Sequence, residues 1–140
     1  MNSEQKHLFE MLVKLDKFLK KHNIDYYIDG GTLIGAIRNR GFLPWDDDVD
    51  TVMTRANYEK LLKVADELYD EGMDLACYER YNDYTKNSVK VIDLTTTMIL
   101  YGDIVHRRAA GLQVDIFIFD PVPKEKIHEY TQYFSVYQNV

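Results

Sequence analysis

An α/β (α+β) fold, a mixed sheet of about five strands flanked by helices, is what this sequence predicts, on three observations. Segments 3–22, 55–71 and 124–137 repeat apolar residues at helical spacing. Between them lie short runs rich in β-branched and aromatic residues, bounded by glycine, proline or polar turns. At 140 residues the chain, read as one domain over 1–140, can bury a real core without disulfide staples.

The elements follow in order. Residues 3–22 form a helix with Ser3 as N-cap and Leu8, Met11, Leu12, Leu15, Phe18 and Leu19 on its apolar face. Lys20, Lys21 and His22 sit in its last turn, where cations suit the dipole. His7 and His22 are expected on the surface. A strand over 26–28 leads to Gly30 and Gly31, and residues 32–39 make a helix of about two turns. Gly41 and Pro44 punctuate a connection, after which Val49, Val52 and Met53 carry the chain into a further strand. Thr54 caps the helix over 55–71, which buries Tyr58, Leu61, Leu62, Ala65, Leu68 and Tyr69 and closes at Gly72. Residues 73–81 and 88–94 pair as a hairpin across the polar turn 82–87, and 95–101 adds another strand. Residues 102–111, with His106, Arg107 and Arg108, read as a solvated basic connection. The last strand is 112–119, and the final helix over 124–137 has Ile127, Tyr130, Phe134 and Tyr137 on one side.

Composition narrows the function classes. A net charge of -6 without any basic tract argues against generic nucleic-acid binding. The single cysteine, Cys77, excludes an internal disulfide, suits a reducing compartment and reads as a small buried apolar residue. No stretch approaches the ~20 apolar residues of a membrane span, and the N-terminus lacks a signal-peptide core. The expectation is a cytoplasmic protein without a transmembrane segment.

Asp46, Asp47, Asp48 and Asp50 crowd four carboxylates into five positions, and such charges repel unless a cation joins them. A run of acids is commonly a solvated loop. Here Trp45 precedes it and apolar residues continue it, so Asp48 and Asp50 are expected on one face of a strand, a platform for Mg²⁺ or Mn²⁺. Asp115 interrupts the apolar run Val114, Ile116, Phe117, Ile118 and Phe119, and a buried carboxylate must be paired, hydrogen-bonded or metal-bound. A salt bridge to an arginine would satisfy it. With Asp48 and Asp50 nearby, we read it as the third member of a carboxylate triad. Gly30, Gly31 and Thr32 stand at a helix start, where close backbone approach and free N–H groups make a phosphate cradle. Trp45 has two readings, a seal on the core beside the acids or a ring face for a quaternary ammonium.

The run from Asp29 to Asp50 closely resembles the LicD family of phosphocholine transferases, which look like members of the nucleotidyltransferase (polymerase-beta-like) superfamily. The likeness continues through Met53 and the helix beginning near Ala56. It resumes at Lys90-Val91-Ile92-Asp93 and at Val114-Asp115-Ile116-Phe117 with Asp120-Pro121-Val122-Pro123. Residues 72–88 carry no likeness.

The resemblance implies metal-dependent transfer of phosphocholine, or a related phospho-substituent, from a CDP-linked donor such as CDP-choline. The acceptor is a cell-surface glycan such as lipopolysaccharide or teichoic acid. Asp48 and Asp50 would hold two ions, Asp115 would hold one and accept the hydroxyl proton, and two metals about 3.5–4 Å apart suit an in-line displacement. The resemblance also raises Arg38 from a helix-end cation, and Lys90 from a solvent-facing strand lysine, to partners of the donor phosphates. Asp29 is assigned to bracing the glycine turn, and Asp93 to a turn or a salt bridge. Family members are usually longer, with further helices on the acceptor side, so a shortened chain is expected. Two alternatives stay open: a nucleotidyltransferase acting on a small molecule, RNA or protein, and an inactive binding module of the same fold.

Overall fold

The computed structural model describes residues 1–98 and 111–137, with side chains to residue 132. The cluster of His106, Arg107 and Arg108, the end of the expected strand 95–101, and the side chains of Phe134 and Tyr137 lie outside the described residues.

Helix α1 spans Ser3–Lys21, and its apolar stripe drives Leu8, Met11, Leu15, Phe18 and Leu19 into the core. Its cap is Asn2 and not Ser3. The Asn2 side chain accepts the Gln5 N–H at 2.8 Å while the Gln5 side chain accepts the Asn2 N–H at 3.2 Å, a reciprocal capping box. Strand β1 (Tyr27–Ile28), helix α2 (Gly30–Asn39) and strand β2 (Asp50–Thr54) follow. Helix α2 thus starts two residues earlier than its apolar pattern suggested.

Helix α3 covers only Arg55–Val64, capped by Thr54, and the chain tightens to 3₁₀ over Ala65–Glu71. Gly72 ends it in the left-handed region at φ +73°, a conformation glycine adopts without penalty. Ala65 and Leu68 are buried there, whereas Tyr69, expected inside, is exposed.

Strands β3 (Met73–Ala76) and β4 (Val89–Asp93) form the expected antiparallel hairpin, although β3 stops at Ala76 where residues 77–80 turn. Leu94 and Thr95 turn as well, so the run expected as a strand from 95 begins outside the sheet. Asp93 caps that turn by accepting both the N–H and the hydroxyl of Thr95, at 2.9 and 2.8 Å. Strand β5 (Gln113–Phe119) precedes a short 3₁₀ turn and helix α4 (Ile127–Tyr137).

The strands form one mixed sheet in the order β1-β2-β5-β4-β3. The β2–β5 pair is parallel and the other pairs are antiparallel. The last strand in the chain therefore occupies the middle of the sheet. Val114 and Ile116 of β5 and Val91 of β4 face the core with α1 and with Tyr58 and Leu61 of α3. Alternation sends Asp115, Phe117 and Phe119 to the opposite face, where both aromatics are exposed. Cys77 is buried in the core as expected.

Candidate active site

The register of the sheet builds the centre of the site. Asp50 of β2 pairs with Asp115 of β5, and Asp115 pairs with Lys90 of β4. Directly opposed residues share a face, so these three side chains form one row across three strands. The Asp115 N–H donates to the Val49 carbonyl at 2.8 Å, and the Thr51 hydroxyl donates to the Asp115 carbonyl at 2.8 Å, which fixes the level of the row.

The glycine turn packs against its β2 end. The Asp29 N–H donates to the Asp50 carbonyl at 3.0 Å, and the Asp50 N–H donates to the Thr32 hydroxyl at 3.0 Å. Asp29 braces the turn through its backbone, since its side chain makes no cap bond. A Cβ on Gly30, which sits at φ +53°, would lie 2.7 Å from Asp50 Oδ2. One on Gly31 would lie 2.8 Å from Asp46 Oδ2. Gly30 is favoured by its left-handed backbone as well as by the crowding, whereas at Gly31 only the movable carboxylate of Asp46 stands where a side chain would go.

Asp48 lies in the connection before β2 and not on the strand, since Asp50 is the first residue of the ladder. The acidic connection is held from a distance. The buried Gln5 side chain of α1 donates to the Leu43 carbonyl at 2.9 Å and to the Asp46 carbonyl at 2.8 Å. Asp46 is half-buried, and its Oδ2 has no hydrogen-bond partner.

Electrostatics follows from this crowding. Partial burial, then the carboxylates of Asp115, Asp46 and Asp29, holds Asp50 above the usual carboxylate range, while Lys90 pulls it down. Asp48, although exposed, is raised too, by the loss of some of its hydration and then by Asp50, Asp46, Asp47 and Asp115. A divalent cation would relieve this repulsion, and the unpartnered oxygen of Asp46 is a further donor in waiting. The donor chemistry therefore fits a hard cation at Asp48 and Asp50. The third acid is otherwise engaged. Asp115 Oδ1 contacts the Lys90 ammonium and accepts the Ser88 hydroxyl at 2.7 Å. Among the described residues no three His, Cys, Asp or Glu groups close on one point.

The remaining candidates are dispersed. Lys90 is not solvent-facing, being only 9% exposed. The salt bridge considered for Asp115 exists, with this lysine in place of an arginine. Arg38 is exposed in the last turn of α2, where it completes no ion pair among the described residues. Trp45 is 74% exposed and cannot seal the core, which leaves its ring free at the edge of the acidic connection.

Gln5, Asp46 and Ser88 were not singled out in the sequence. A glutamine on an otherwise apolar helix face signals a long-range bond for Gln5. Nothing local marks Ser88, whose role arises from β4–β5 pairing. His7, expected free on the surface, instead lies 2.6 Å from Asp93 and ties α1 to β4. His22 is likewise half-buried, its ring tilted 46° against that of Phe18 with Glu67 3.2 Å away.

Residues 23–140 match the family model described as "LicD/FKTN/FKRP, nucleotidyltransferase domain". The chain is 37% identical over 107 residues to the lipopolysaccharide cholinephosphotransferase LicD of Haemophilus influenzae, covering 76% of this chain and 39% of that protein. It is 24% identical over 127 residues to an uncharacterized protein of Rickettsia prowazekii, covering 90% of this chain and 44% of that one. The chain thus spans less than half the length of these relatives.

Proposed function

The chain belongs to the LicD family, and from that membership we propose that it carries the metal-dependent core of a phosphotransferase. It moves phosphocholine, or a related phospho-substituent, from a CDP-linked donor to a glycan acceptor such as lipopolysaccharide. The observation that carries this reading is the in-register row Asp50–Asp115–Lys90, with Asp50 packed against Gly30 of the glycine turn.

In the reaction, the acceptor hydroxyl oxygen bonds to the choline-bearing phosphorus, the phosphorus–oxygen bond to CMP breaks, and CMP leaves with that electron pair. Asp48 and Asp50, with Asp115 sharing one ion, would hold Mg²⁺ or Mn²⁺, which when bound neutralises the phosphates and activates the attacking oxygen. Asp115 is the acceptor for the hydroxyl proton. The first N–H groups of α2, at Gly30, Gly31 and Thr32, would receive a non-reacting phosphate. These amides lie beside the carboxylates of Asp46 and Asp50. A phosphate therefore settles there only when a cation offsets the acids. Lys90 and Arg38 supply positive charge to the donor phosphates, and the exposed ring of Trp45 offers a face to the quaternary ammonium. No described helix is long and apolar enough to cross a membrane.

The test is incubation with labelled CDP-choline, Mn²⁺ and lipopolysaccharide, scored for CMP release and acceptor labelling. Both are expected, and both should be lost in Asp48→Asn and Asp50→Asn. Label transferred instead from a nucleoside triphosphate as the nucleotide would establish a nucleotidyltransferase. Donor binding that ignores both substitutions would establish a binding module.

A further inference from the structure

Lys90 holds a position that the metal-dependent reading leaves unexplained. Its ammonium contacts Asp115 Oδ1, which also accepts the Ser88 hydroxyl at 2.7 Å, so that oxygen is committed. The lysine is 9% exposed and level with both acids in the sheet. Lys90 pulls the Asp50 carboxyl down, whereas Asp115, Asp46 and Asp29 hold it up.

We propose that Lys90 is a resident counter-cation that a divalent metal displaces from Asp115, so that its ammonium becomes available to the donor phosphate only once the metal has arrived. This rests on the metal-dependent reading above. A nearly buried ammonium stripped of its carboxylate is costly unless another anion replaces it. The donor phosphate is that anion. Metal binding alone is therefore opposed by the stranded lysine, and donor and metal each raise the other's affinity by the same factor. Lys90 acts here on the metal, through Asp115, before it meets any substrate.

The experiment measures Mn²⁺ affinity by calorimetry, without donor, for the wild type, Lys90→Met and Lys90→Arg. Removal of the competing charge should tighten Mn²⁺ binding by ~tenfold or more in Lys90→Met, and Lys90→Arg should stay near the wild type. A merely structural lysine would give equal or weaker binding in Lys90→Met, and that result overturns the proposal. A second measurement needs no variant. Acylation of the Lys90 amine, read by peptide mass spectrometry, should be slow in the metal-free protein, faster with Mg²⁺, and slow again with Mg²⁺ plus CDP. A rate indifferent to Mg²⁺ also overturns it. Absence of Mn²⁺ binding, or binding that survives Asp48→Asn with Asp50→Asn, removes the metal reading and this inference together. Intact, Asp50-dependent binding that ignores Lys90 removes this inference alone.

Discussion

Asp48 and Asp50 each hold a proton more tightly than an ordinary carboxylate, through lost hydration and then through their neighbours. Their folded values lie above their unfolded ones, so the folded chain binds more protons. Stability then falls as pH rises from the ordinary carboxylate range through the raised values. Asp48→Asn should accordingly raise the Tm of the metal-free protein at neutral pH by roughly 2–4 °C, allowing for solvent screening. The gain should vanish below pH ~4, where the wild-type carboxylate is itself neutral. The same variant should lose the stabilisation that Mn²⁺ gives the wild type, and calorimetry with and without Mn²⁺ across pH checks both. Gly31→Ala meets only the movable end of Asp46 and should cost less than ~1.5 kcal/mol. It should nevertheless weaken the Mn²⁺-induced Tm shift, because Asp46 must swing away. At this scale much was legible. A carboxylate inside an apolar run pointed to Asp115, and the crowded acids pointed to Asp48 and Asp50. Lys90 and Trp45 were harder, because a lysine's partner and a tryptophan's exposure depend on strands and loops distant in the chain.

At the scale of elements, α2 packs at Gly35 directly against the backbone of the connection that follows it. A Cβ on Gly35 would lie 2.5 Å from the Gly41 carbonyl oxygen and 2.9 Å from the Leu43 nitrogen, both backbone. Nothing there can rotate aside. Gly35→Ala should cost ~2–3 kcal/mol in denaturant melts and move the acidic connection with the helix. The tie between α1 and β4 should show in acid. Burial alone would raise Asp93, yet the Thr95 N–H and hydroxyl and then His7 hold its carboxyl below the usual range. A lowered folded value stabilises above the unfolded one and is lost as pH falls through the folded one. Asp93→Asn should therefore destabilise at neutral pH and make less difference in strong acid, as melts at several pH values will show. Helical periodicity located α1, α2, α3 and α4. Strand ends were less legible, since β3 and the run from 95 stop where turns and long-range bonds take over from local preference.

For the whole molecule, the single thiol is a probe of cooperative opening. Burial pushes the Cys77 thiol up, and it sits in the core beside Tyr58. A thiol reagent should label it only at the rate of unfolding, and labelling faster than loss of helical signal would contradict the packed core. The mixed sheet itself was legible as a class, from alternating runs between helical segments. Its strand order was legible only where the acids pointed: grouping Asp115 with Asp50 implied the β2–β5 neighbours, while nothing local placed the β3–β4 hairpin on the other side of β5.

That order has a consequence for synthesis. Among the described strands β5 is made after the other four, and both halves of the sheet depend on it. As the chain emerges from a ribosome, the β1–β2 pair and the β3–β4 hairpin can form early but have no edge in common. Insertion of residues 113–119 closes them at a late stage and at a long loop-closure cost. The row of Asp50, Asp115 and Lys90 thus comes together in one step, when β5 is inserted, and a nascent chain released before that carries the acidic connection without Asp115 beside it.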